Sequence, residues 1–251
     1  MQPPGTGPLG FSGRGRHQIA VSWTVRDVLI ASGAVVGSFL GAVLFLSFAI
    51  SRAGGSEEWF ENGEVFGLPA PLVLAVILEV FFLGAVVLFS GVKDWSQVRR
   101  LGFIHPTGRA PYALAFAAWF AGLVASGTWI FLTQAVGIGW LQPPDSAAEV
   151  LNYSGGALVF PIIVIGIITP ICEETFFRGF ALPAFARRYG VWGGILLSAA
   201  LFSIFHFSIG LVVPVFIFGI VLGWLYVRTG SIYPSITAHA VQNVVALLAA
   251  N

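Results

Sequence analysis

The chain has 251 residues, of which 57% are hydrophobic and only 9% charged, and its mean hydropathy is +0.90. Soluble domains carry about 25% charged residues, so this composition excludes one and defines a polytopic membrane protein, with no nucleic acid expected as a partner. The formal net charge of +1 says little, because orientation in a bilayer depends on where positive charges fall; the single cysteine, Cys172, excludes a disulfide framework.

Residues 1–27 read as a disordered basic tail. Residues 1–16 alone hold three Pro, five Gly, Arg14 and Arg16, which leaves too little apolar surface to fold. The first apolar stretch, residues 28–50, exceeds the roughly 7–15 residues of a signal-peptide core. It is long enough to cross a hydrocarbon layer of about 30 Å. Within it Gly33, Gly37 and Gly41 recur every fourth residue, which predicts a face for close helix packing. An acidic loop with Glu57, Glu58, Glu61 and Glu64 against Arg52 leads to a second span over 69–91. A basic loop with Lys93, Arg99, Arg100 and Arg109 follows, and a third span over 111–136. Asp145 and Glu149 make the next loop acidic again, after the breaker Pro143-Pro144.

From about Gly156 to Arg188 the chain reads as one long helix or two broken ones. Further spans are predicted over 191–213, 214–227 and 232–250, with Gly190/Gly194 and Gly219/Gly223 as close-packing pairs. The fold class is therefore all-α, a bundle of about seven transmembrane helices, six to eight within the uncertainty of the breaks. With the N-terminus in the cytoplasm, 11 of the 12 Lys and Arg lie on or near the cytoplasmic side, and Arg52 alone falls outside. That asymmetry predicts a multi-pass protein of a bacterial plasma membrane with a cytoplasmic N-terminus.

Ionisable groups inside a bilayer cost roughly 2.5–3.5 kcal/mol even on insertion scales, so each is a functional candidate. The last third of the chain holds Glu173, Glu174 and Arg178, then His206, then His239 and Asn243. Glu174 and Arg178 are i,i+4 and predict an ion pair, while Glu173 is rotated about 100° away and left free for chemistry. His239 and Asn243 share a face, as do Phe202 and His206. Counting about 1.5 Å per residue from the cytoplasmic ends puts Glu173, His206 and Asn243 at depths of roughly 21, 24 and 18 Å, and His239 at about 12 Å. Three helices thus predict one shared intramembrane site.

Glu173-Glu174-xxx-Arg178, Phe202-xxx-His206 and His239-xxx-Asn243, in that order over about 70 residues, resemble the three motifs of the CPBP family. These are CAAX proteases and bacteriocin-processing intramembrane peptidases, with the type II CAAX prenyl endopeptidase as eukaryotic relative. Leu101-Gly102-Phe103 after a basic loop also resembles a recurrent family feature. The resemblance implies N-terminal helices over 28–150, a catalytic domain over 151–251, and an endopeptidase acting on a membrane-associated peptide or protein in the lipid bilayer. It implies Glu173, Glu174, His206, His239 and Asn243 as site residues: Glu173 and His206 activating water, and His239 with Asn243 supporting the oxyanion or completing a metal site.

Two mechanisms stay open at this level. In one, Glu173, His206 and His239 hold a divalent metal, zinc by residue type. In the other, Glu173 with His206 is a metal-free general base. The His-Glu-x-x-His helix of familiar zinc proteases is absent. Two other classes compete with the enzyme: a non-catalytic immunity-type protein that sequesters a peptide, and a proton-coupled transporter using Glu79, Glu173 and the histidines, against which the lack of repeat symmetry counts. Cys172 is expected to be an inert buried thiol, His17 and His105 to lie in loops, and Glu79 to line the cavity or pair with another helix.

Overall fold

The computed structural model describes residues 21–55, 59, 63–65, 68–91, 98–142 and 158–250. Most of the predicted tail, the loop acids Glu57, Glu58 and Glu61, Lys93, His17, and the Pro143-Pro144, Asp145 and Glu149 stretch lie outside the described residues. What is described is helical apart from short turns and one two-stranded ribbon.

Helix α1, Val25–Arg52, starts three residues earlier than predicted because Thr24 and Asp27 form a capping box. The Thr24 side chain accepts the Asp27 N–H (3.4 Å) and the Asp27 carboxylate accepts the Thr24 N–H (2.7 Å), satisfying two end donors at once. The residues just before it are not a loose tail. Val21 and Trp23 are buried; the Trp23 indole N–H donates to the Phe180 carbonyl (2.7 Å) and Arg187 donates to the Val21 carbonyl (2.8 Å).

A small antiparallel ribbon, β1 Glu64–Val65 with β2 Leu68–Pro69, leads directly into α2, Ala70–Ser90. Helix α3 is Ala110–Val136. Helix α4 is a 46-residue run, Val159–Ile204, followed by α5, Ile209–Thr229, and α6, Tyr233–Ala249. Five of these, α1 to α5, are long and apolar enough to cross a membrane, two fewer than the seven expected. The difference lies at two places. Gly190 breaks α4 into two arms, because φ 79° and ψ 169° belong to a region only glycine enters readily. And α6, with 17 residues, sits at the short end of what spans about 30 Å.

The predicted boundary between 213 and 214 moves to residues 205–208. The helix stops after Ile204 and a turn carries His206, with Phe207 at φ 48°. Pro214 falls inside α5.

Large apolar side chains such as Leu44, Phe45, Leu88, Phe116 and Phe131 point outward, as lipid-facing residues do. The core is an aromatic cluster in which Phe82 of α2 packs on Phe176, Phe177 and Phe205. Gly219 and Gly223 do bring α5 against α4: an added Cβ would lie 3.0 Å from Ala199 and 3.3 Å from Ile195. The Gly33, Gly37 and Gly41 face does not do so; it has no neighbour within 4 Å and faces away from the described helices. Gly102 joins the Leu101-Gly102-Phe103 turn to the bundle. Its carbonyl accepts the Ile232 N–H at the start of α6 (2.9 Å), and its Cα lies so close to Tyr226 that a Cβ would meet that ring.

Candidate active site

Two prolines shape the arm that carries the acids. A proline lacks an N–H, and its ring clashes with the carbonyl four residues back. Before Pro170 and again before Pro183 the first arm of α4 widens into a π-helical stretch, 164–168 and 175–181, and in both cases the residue four back is glycine, Gly166 and Gly179. Such widenings are rare and cluster at functional sites. In a π turn the Ile165 carbonyl would seek the N–H of residue 170, which proline does not have. The Asn243 side-chain amide of α6 fills that place, donating to Ile165 O at 2.8 Å. The second widening is tied to its neighbours through other carbonyls, Trp23 donating to Phe180 O and Ser198 to Phe177 O, 2.7 Å each.

Between the two widenings lies the turn Thr169–Glu174. Glu174 and Arg178 are fully buried and paired at 2.7 Å, as their spacing predicts. Arg178 is further held by the Gly219 carbonyl (3.3 Å) and by the face of Phe202, 4.3 Å from the ring centroid. Charge-assisted, multiply held pairs of this kind are among the strong polar contacts.

The pairing extends further than the helix itself. The same Glu174 oxygen that faces Arg178 lies 3.0 Å from His239 Nδ1, and His239 Nε2 lies 3.6 Å from Glu173 Oε2. The imidazole thus sits between the two adjacent carboxylates, with Phe202 and Phe218 edge-on to it. A carboxylate paired with Arg178 accepts, so His239 Nδ1 carries its proton and Nε2 is the nitrogen turned to Glu173. His206 is set by the same logic. Its Nδ1 lies 3.0 Å from the Phe202 carbonyl, which can only accept, so Nε2 bears the lone pair.

Glu173, His206, His239 and Asn243 all line one cavity of about 490 Å³ formed by α3, α4, α5 and α6. Its remaining wall is mainly apolar, with Phe202, Phe218, Ile130 and Pro214, and a volume in this range suits a ligand of several groups. The convergence of three distant motifs is the one their depths predict. Glu174 and Arg178 lie behind His239 and do not line the cavity, and neither do Cys172 or Glu79. Thr169, Ser126 and Gln242 line it as well, and sequence reasoning missed them. Gln242 had a readable signal, three residues after His239 and beside Asn243; its Oε1 accepts the Trp119 indole N–H (2.9 Å).

The trio Glu173, His206 and His239 does not close into a metal site as placed. Among the described residues no three His, Cys, Asp or Glu side chains come together as one ligand set.

Apolar helices around a cavity that carries Glu173, His206, His239 and Asn243 define the class: a multi-pass membrane protein with a site for polar chemistry inside its helices. Residues 155–245 match the family model described as type II CAAX prenyl endopeptidase, Rce1-like, and that segment holds Glu173, Glu174, Arg178, His206, His239 and Asn243. No curated protein and no solved structure matches the chain.

Proposed function

We propose that the chain is an intramembrane endopeptidase that hydrolyses a peptide bond in a membrane-associated peptide or protein, in a plasma membrane of bacterial type with its N-terminus cytoplasmic. The observation that carries this reading is the imidazole of His239 between Glu173 and Glu174, in a cavity shared with His206.

Peptide hydrolysis needs a base for water, donors for the developing oxyanion and a proton for the leaving amine. Glu173 and the lone-pair Nε2 of His206 are the two acceptors that a water in this cavity would meet. Glu173 takes one proton as the water oxygen bonds to the scissile carbonyl carbon. The carbonyl oxygen gains the negative charge, and a His239 with a proton on both ring nitrogens, Nδ1–H on Glu174 Oε1, supplies a donor at Nε2. Asn243 uses one amide N–H on Ile165 O and keeps the second. When the C–N bond breaks, Glu173 returns the proton to the amine.

The donors as placed do not fit a three-ligand metal, so no step here runs through one. Replacing Glu173 with Gln keeps its size and removes the base. Cleavage of a farnesylated CAAX-type peptide by purified Glu173→Gln should fall about 10²–10⁴-fold, with an unchanged Tm in detergent. Chelator treatment of the wild-type protein should leave cleavage intact. Full activity of Glu173→Gln would remove Glu173 as the base, absence of cleavage by the wild-type protein would return the chain to peptide binding without hydrolysis, and loss with chelator reversed by zinc would assign His206 and His239 to a metal.

A further inference from the structure

Glu79 stands near the middle of α2, the only acid of that helix. A carboxyl at such depth is costly enough that it calls for a specific reason. It is only 3% exposed, and no cation is paired with it among the described residues. The buried residues that share its helix are mostly apolar: Leu72, Phe82, Ala85 and Val86. A residue needed there for packing alone would be apolar too.

What Glu79 faces is the acidic turn of α4. The Thr169 hydroxyl and the Cys172 thiol both lie against its carboxyl, and its Oε2 is buried with no partner among the described residues. Thr169 and Cys172 are i,i+3, so the carboxyl meets the segment at two points one turn apart. Two such points fix rotation about the helix axis, which one point cannot. Glu173 follows directly on Cys172 and is i,i+4 to Thr169, so fixing that rotation fixes the direction in which Glu173 leaves the helix. Phe82, three residues on from Glu79, packs on Phe176 and Phe177 just beyond that turn, so α2 already lies against the acidic segment.

We infer that Glu79 is a positioning residue of the hydrolytic site, pinning the Thr169–Glu174 turn to α2 through Thr169 and Cys172 so that the Glu173 carboxyl is directed at His239. It acts through Glu173 and touches no substrate. The inference rests on the endopeptidase reading and adds to the four helices of the cavity a fifth, α2, outside the segment 155–245 that the family match covers.

The test uses the full chain in detergent and the farnesylated CAAX-type peptide as probe. Glu79→Leu removes both acceptors and the charge while leaving an apolar side chain among apolar neighbours. It should lower kcat about 10–100-fold, the scale of a small misplacement of a reacting group, with KM within about twofold and Tm unchanged or raised. Glu79→Gln keeps one acceptor oxygen and should recover part of that loss. A wild-type kcat in Glu79→Leu overturns the inference. So does a parallel fall of kcat and Tm that Glu79→Gln fails to relieve, which is the signature of a packing role. Glu173→Gln serves as the reference. If it is inactive while both Glu79 variants behave as wild type, only the role of Glu79 falls. If it is active, Glu173 is not the base and this inference falls with that role; if the wild-type protein itself leaves the peptide uncut, the endopeptidase reading falls and this inference with it.

Discussion

Glu173 and Glu174 are chemically identical neighbours, and their surroundings give them different work. Glu174 is fully buried, bound to Arg178 on one side and to His239 on the other. Removing it leaves the Arg178 guanidinium inside the bundle with no counter-charge, and stranding one member of a buried pair costs about 3–5 kcal/mol. Glu174→Ala should therefore lower the unfolding free energy by that amount in a denaturation series, and cleavage should fall as well because His239 Nδ1 loses its acceptor. Of this arrangement the sequence displays the half that is local. The Glu174–Arg178 spacing predicts its pair, whereas the bond to His239 joins residues 65 apart, and no spacing rule reaches across helices. Asn243 shows the same limit: its partner Ile165 becomes readable only once Pro170 is known to sit just beyond a π-helical turn. The roles proposed for Glu173, His206, His239 and Asn243 rest on that geometry together with the motif resemblance.

At the scale of elements, hydropathy located the first three spans well, because a single helix in lipid must be apolar over its whole length. It failed where helices meet. The turn at 205–208, Phe-His-Phe-Ser, holds neither proline nor glycine, so nothing in it reads as a helix breaker and the predicted boundary falls at Pro214 instead. The Gly33, Gly37 and Gly41 stripe shows the opposite error, a local pattern whose packing partner does not exist within the described bundle. The Leu101-Gly102-Phe103 turn was visible only as a resemblance, yet the structure gives it a physical cause. Gly102 has φ 93° and lies against Tyr226, so any side chain there meets both backbone strain and a ring. Gly102→Ala should destabilise the protein by about 1–3 kcal/mol, measured by thermal unfolding, and should loosen the start of α6, which the Gly102 carbonyl ties through Ile232.

For the whole molecule, the distribution of basic residues predicts which surface faces the cytoplasm. Ala53 follows α1 and Thr107 precedes α3, and both are exposed. With the native Cys172 buried, a cysteine placed at either site can be labelled selectively. In intact cells an impermeant maleimide should label Ala53→Cys and spare Thr107→Cys; the reverse result would invert the proposed orientation. The pairing of Glu174 with Arg178 inside a single helix also bears on biogenesis. Helix α4 is synthesised and offered to the insertion machinery before α6 exists, so His239 cannot help to neutralise the acids at that moment. A carboxylate that brings its own counter-ion one turn away can enter lipid as a locally neutral unit, and the site is completed only when the last helix docks. Arg178→Leu should then reduce membrane insertion of nascent chains truncated before α6, a defect that arises in assembly rather than in the finished fold.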